Sequence, residues 1–144
     1  MSTFRIRSND GQYVEVEVLR YERGPTGDYH DDNWVTVNIS LRVAGFNGAF
    51  DAAFLTEDFV AFKEQLSELH RTLLGEAKFV TLEDQLALTV RGNGRGGLTI
   101  EGEAWQEAGV GNHLHFAFQS DQTLLPESLA GLAEITTEFP IRAG

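Results

Sequence analysis

The 144-residue chain has no cysteine, which removes thiol nucleophiles, thiolate metal sites, iron–sulfur clusters and disulfide staples together. Proline is nearly as scarce, with three residues against fifteen glycines and no low-complexity stretch. That balance implies many tight turns and no disordered linker. No apolar run approaches the ~18 residues of a membrane-spanning helix. The opening residues MSTFRIRSNDG enter an alternating pattern with no apolar signal segment, so a soluble cytoplasmic protein is expected. Positive charge is the remaining deficit: eleven Lys and Arg face twenty-two Asp and Glu, a formal net charge of −11. Such a chain repels phosphate backbones and anionic lipid and attracts basic proteins. Nucleic acid and membrane are therefore not expected as partners. The length implies one domain, residues 1–144, able to bury roughly 68–70% of its unfolded surface without staples.

What is present is hydrophobic patterning of two periods. Phe4 and Ile6 mark a short strand, and Asn9-Asp10-Gly11 is a hairpin signal because Asp-Gly reaches positive φ at little cost. Val14, Val16 and Val18 then alternate with Tyr13, Glu15 and Glu17, placing valine toward a core and acid on the opposite face. After the loop 24–32, Val35, Val37, Ile39, Leu41 and Val43 resume the alternation opposite Trp34, Thr36, Asn38 and Ser40, and a fourth strand carries Phe50, Ala52 and Phe54. Thr56 is placed as an N-cap with Glu57 and Asp58 in the first turn. Phe59, Phe62, Leu66, Leu69 and Leu73 form a helical stripe, and Gly75 is expected as the C′ residue. The layout then repeats. Strands are expected around Phe79, around Leu86, Leu88 and Val90, around Leu98 and Ile100, and around Leu114, Phe116 and Phe118. A helix begins near Pro126, carries Leu129, Leu132 and Ile135, and stops at Pro140. The expected fold is α+β: a largely antiparallel sheet of about eight strands with two amphipathic helices on one face, as two β-β-β-β-α halves, 1–75 and 76–144. A partly closed barrel or a two-sheet sandwich is the alternative.

No catalytic constellation emerges, so no catalytic residue, metal or cofactor is assigned. His113-x-His115 lies on a strand, which points both imidazoles to one face, and Asp28, Asp31 and Asp32 are the residues that could complete a metal site there. The spacing is common by chance and no helical His-Glu-x-x-His signature supports it, so these residues are read as solvated side chains beside a loop. Gly92-Asn93-Gly94-Arg95-Gly96-Gly97 is rich in glycine, but a phosphate cradle must open a helix, whereas this turn joins two strands. Glu101 and Glu103 are only two of many acids. There is no Gly-x-Ser-x-Gly elbow, and the basic residues are scattered.

The open face of the sheet is expected to carry Tyr13, Glu15, Glu17, Trp34, Glu101, Glu103 and Trp105, with Asp28, Asp31 and Asp32 in the adjoining loop, as a partner-binding surface. Tyr and Trp are strong interface anchors, and carboxylates steer a basic partner. Two other readings stand beside it: a metal-binding or hydrolytic domain built on His113 and His115, and a scaffold that forms homo-oligomers through the open face. The order of Asp31-Asp32-Asn33-Trp34, Phe46-Asn47-Gly48-Ala49-Phe50, Leu74-Gly75-Glu76-Ala77-Lys78-Phe79, Gly94-Arg95-Gly96 and Asp121-Gln122-Thr123-Leu124-Leu125-Pro126 resembles the WapI-type bacterial immunity proteins over almost the whole chain after residue 30. The resemblance implies a small cytosolic antitoxin, not an enzyme, that blocks the nuclease domain of a contact-delivered, wall-associated toxin, and a domain that grips nucleic acid is expected to be basic. It also implies structural roles for Trp34, Gly75, Gly94, Gly96 and Gln122.

Overall fold

Alternation in sequence becomes alternation in burial. In the computed structural model, which describes residues 2–142, Val14, Val16 and Val18 of β2 (Tyr13–Tyr21) are buried while Tyr13, Glu15 and Glu17 face outward. Strand β1 (Thr3–Arg7) pairs antiparallel with β2. A single helical turn, α1 (Tyr29–Asp32), follows. Next come β3 (Trp34–Val43) and β4 (Phe46–Leu55), which complete a four-stranded meander in the order β1-β2-β3-β4. Helix α2 (Thr56–Thr72) leads into β5 (Leu74–Phe79), β6 (Leu86–Asn93), β7 (Gly97–Glu107) and β8 (Val110–Asp121), a second antiparallel meander in the order β5-β6-β7-β8. A 3-10 turn (Gln122–Leu124) then introduces α3 (Leu125–Glu138). The plan is thus four strands and a helix, twice, in two sheets that are not closed into a barrel.

The inner faces of both sheets and the apolar stripes of α2 and α3 contribute to one buried cluster. At its centre the rings of Phe4 (β1), Phe54 (β4), Phe59 and Phe62 (α2) and Phe79 (β5) meet at centroid separations from 5.3 to 6.2 Å. Each such ring contributes roughly 1.5–3 kcal/mol by leaving water, so this cluster ties the two sheets and α2 into one packing unit.

The helices also close sheet edges. Ser128 of α3 donates its hydroxyl to the Arg5 carbonyl at 2.6 Å, and Ser120 at the end of β8 donates to the Arg7 carbonyl at 2.5 Å. Gly131 lets α3 lie directly on β1: a Cβ there would sit 2.3 Å from the Thr3 carbonyl oxygen. On β5, the Lys78 N–H donates to the side chain of Gln65 in α2 at 2.9 Å.

Two boundaries differ from the sequence reading. Thr56 is not the N-cap of α2 but its first residue; Leu55 holds the extended cap position, and its N–H donates to the Asp58 carboxylate at 2.9 Å. The Thr56 hydroxyl turns inward instead, donating to the buried Asn33 amide oxygen at 2.7 Å. At the other end Leu73, not Gly75, adopts the left-handed cap conformation (φ 64°), and Gly75 takes its positive φ two residues later in β5.

Candidate functional site

The surface residues expected on one open face are divided between the two sheets. On the first, the register sets Glu15 beside Arg5 and Tyr13 between Arg7 and Arg42. The Arg5 guanidinium bonds to Glu15 at 2.8 Å and lies 4.7 Å from the Tyr13 ring centre. Glu17 stands between Thr3 and Asn38, and Trp34, half-buried, pairs with Leu55. The outer face of this sheet therefore sets Arg5, Arg7 and Arg42 against Glu15, Glu17 and Asp51. The expected negative face does not form here, because arginines on the neighbouring strands fall in register with the acids of β2.

In the loop, the three aspartates hold the chain. Asp28 caps α1 by accepting from the Asp31 N–H at 3.0 Å, and Asp31 pairs with Arg23 at 3.1 Å. Asp32 is buried and accepts from the Thr26 N–H (2.7 Å), the Thr26 hydroxyl (2.8 Å) and the Gly27 N–H (2.9 Å). The Thr26 amide is the largest of the influences that hold its carboxyl below the ordinary range, and nearby Arg142 acts in the same direction. Such a carboxylate is committed to its own loop. Beside it, Asn33 is fully buried and spends its whole amide: Nδ2 donates to the Tyr29 and Arg142 carbonyls (2.7 and 2.9 Å), while Oδ1 accepts from the Thr56 hydroxyl and the Arg142 N–H (2.7 and 2.8 Å). Sequence reasoning missed this hub, for nothing in Asp-Asn-Trp distinguishes it from an ordinary turn.

The second sheet differs in character. Trp105 and His113 face each other across β7 and β8 and stack nearly parallel, with centroids 3.9 Å apart at 8°. Glu103 lies 3.8 Å from His113 Nε2. Glu101, one pair further along, shares Arg91 with Glu76. The Trp105 backbone N–H donates to the carbonyl of Gln85 at 2.8 Å, and the β5–β6 loop that ends at Gln85 exposes Val80 (59%) and Leu82 (68%) together with Glu83 and Asp84. Gln85 itself is buried and donates to the carbonyls of Asp51, Trp105 and Gln106, fastening β4 to β7. Val80 and Leu82 were absent from the sequence reading, although an apolar-x-apolar pair inside a polar turn was the available signal. From Gly96 to Ile141 the chain has no lysine or arginine, so β7 and β8 bring none to this face, and its Arg91 and Lys78 come from β6 and β5. Among the described residues no three of His, Asp and Glu converge as a metal site would require, and none of the helices is long and apolar enough to cross a membrane.

Residues 5–140, nearly the entire chain, match the sequence model of the immunity protein WapI-like family. The chain belongs to that family. As an immunity protein it has a toxin protein as its implied partner, and inhibition rather than catalysis as its implied role. None of the curated proteins matches it. Two of the residues on which the resemblance rested are joined directly. The Gln122 N–H donates to the Gly96 carbonyl at 2.8 Å, and the Gln122 side chain occupies the space where a Cβ on Gly96, at φ 102°, would fall, 2.9 Å away. The positive φ favours glycine at that position, whereas the Gln122 side chain is flexible enough to move aside for a Cβ.

Proposed function

We propose that this immunity protein neutralises a basic toxin domain, of nuclease type, in the cytoplasm, by occupying the toxin's basic surface with the outer face of its second sheet. A nuclease must present Lys and Arg to grip phosphate. An acidic domain competes for those side chains, and the same charge accelerates encounter. The observation that carries the reading is the Trp105–His113 stack flanked by Glu103 on β7 and β8, two strands without lysine or arginine. It combines an aromatic anchor with acid, and the exposed Val80 and Leu82 of the β5–β6 loop add apolar surface to the same half of the molecule. Tyr13, Glu15 and Glu17 rank lower because Arg5 engages two of them.

The test is co-production with a nuclease toxin domain, sought first in the coding region beside that of this chain. Wild type should restore growth, and Trp105→Ala or Glu103→Lys should weaken binding at least tenfold, about 1.4 kcal/mol, with an unchanged melting transition. Loss of binding on Glu15→Lys plus Glu17→Lys, with the second-sheet variants unaffected, would move the surface to the first sheet. Failure of wild type to bind or protect would remove the reading.

A further inference from the structure

Of the four strands at the margins of the two sheets, three carry at least one side-chain cap on an outward backbone group, although Asn47, Ala49 and Ala53 of β4 have none among the described residues. Ser128 and Ser120 cap the outward carbonyls of β1, Gln65 caps an outward N–H of β5, and Gln85 caps the Asp51 carbonyl of β4. Strand β8 differs. The bonds from the Gln122 N–H to Gly96 and from the Trp105 N–H to Gln85 fix the alternation of this sheet. With the pairs Ala104↔Leu114, Gly102↔Phe116, Ile100↔Phe118 and Leu98↔Ser120, they turn the even-numbered residues of β8 toward β7. The backbone N–H and C=O groups of His113, His115, Ala117 and Gln119 therefore point away from the sheet, and no side chain among the described residues caps them. This free edge is about 20 Å long at ~3.4 Å per residue.

The edge is also unguarded in sequence. Folded sheets normally protect such margins with lysine, proline or a bulge. Yet no charged residue and no proline occurs between Glu107 and Asp121, in a chain that is 23% charged. Between the free parts of β8 and β4 lies a groove of about 570 Å³ lined by Leu41, Phe46, Phe50, Ala104 and Leu114.

We infer that β8 is the docking edge for an extended, basic segment of the partner protein, which joins the second sheet as a fifth strand. The inference rests on the toxin-binding reading above. Strand addition satisfies the outward backbone groups, and alternate side chains supply specificity. On the outer face the segment's Lys or Arg residues would lie on the side of Glu101 and Glu103, one strand in from the edge. On the inner face its apolar residues would meet the groove. A second copy of this chain is disfavoured as the occupant, since two bodies of formal charge −11 repel each other.

The probe is a blocked decapeptide alternating lysine and valine, with two controls: its counterpart N-methylated on one backbone edge, and a glutamate–valine peptide. Amide hydrogen exchange on the intact protein should slow at least tenfold at His115 and Ala117 with the first peptide and with neither control. Ala117→Pro removes an outward N–H while sparing every bond to β7, and it should abolish the protection without altering melting. No slowing, equal slowing with the glutamate peptide, or slowing that grows with protein concentration alone, as a second copy would cause, overturns the inference. If Ala117→Pro neutralises the toxin domain as well as wild type does, the edge is lost while the toxin reading survives. Protection by the lysine peptide without any rescue of growth leaves the edge standing and removes the toxin reading.

Discussion

Asn33 and Asp58 show how single polar groups set the local stability of this molecule. Asn33 makes four hydrogen bonds from a fully buried amide. Asn33→Ala should strand the Thr56 hydroxyl and two carbonyls, and a loss of about 3 kcal/mol in urea unfolding is expected. Asp58 works in the other direction. Burial pushes its carboxyl up to about 6, against the bond from the Leu55 N–H, which pulls it down, and with a smaller upward push from Glu57. Because the folded state holds this proton more tightly than the unfolded chain does, the contribution of Asp58 to stability falls as pH rises from about 4 to about 6 and is level above. Asp58→Asn keeps an acceptor for Leu55 and never ionises. Relative to wild type it should be unchanged below pH 4 and more stable by about 1 kcal/mol at pH 7–8, once solvent screening is allowed for. Urea titrations across that range measure the difference directly, and parallel curves at all pH values would remove the argument.

At the level of elements, strand and helix identities followed from periodicity because each element buries one face: the alternating valines of β2 and β3 and the three- and four-residue stripe of α2 are all in the core. Helix ends were read less well. Thr56 satisfies a buried long-range partner rather than its own first turn, which local pattern does not reveal. The candidate surface was legible only in part, since the acids of β2 were visible but the register that sets Arg5 beside Glu15 was not. The stacking of Trp105 on His113 likewise depends on which residues face each other across a hairpin. The contact of α3 with β1 is a test of how rigid an element boundary is. A side chain at Gly131 collides with backbone, not with a flexible side chain. Gly131→Val should therefore displace α3 and cost about 3 kcal/mol or more, whereas Ala130→Val, one residue earlier at an exposed position, should change stability by less than about 1 kcal/mol. Paired melting curves decide it.

For the whole molecule, the excess of acid governs encounter more than fold. If the proposed toxin reading holds, association should slow by at least tenfold between about 50 and 300 mM salt while dissociation changes little; stopped-flow mixing separates the two, and salt-independent association would leave packing alone to explain recognition. The two halves also exchange services. Helix α2, which follows the first sheet, closes β5 of the second, and α3, which follows the second sheet, closes β1 of the first. During translation β1 is made first and its cover almost last, so at about 5–20 residues per second the Thr3–Arg7 margin waits on the order of ten seconds without its lid. A ribosome-arrested nascent chain ending before Leu125 should accordingly be cleaved by protease within the first meander. Release of a chain extending past Glu138 should protect it in one step, and the newborn inhibitor would then become competent only when its final helix arrives.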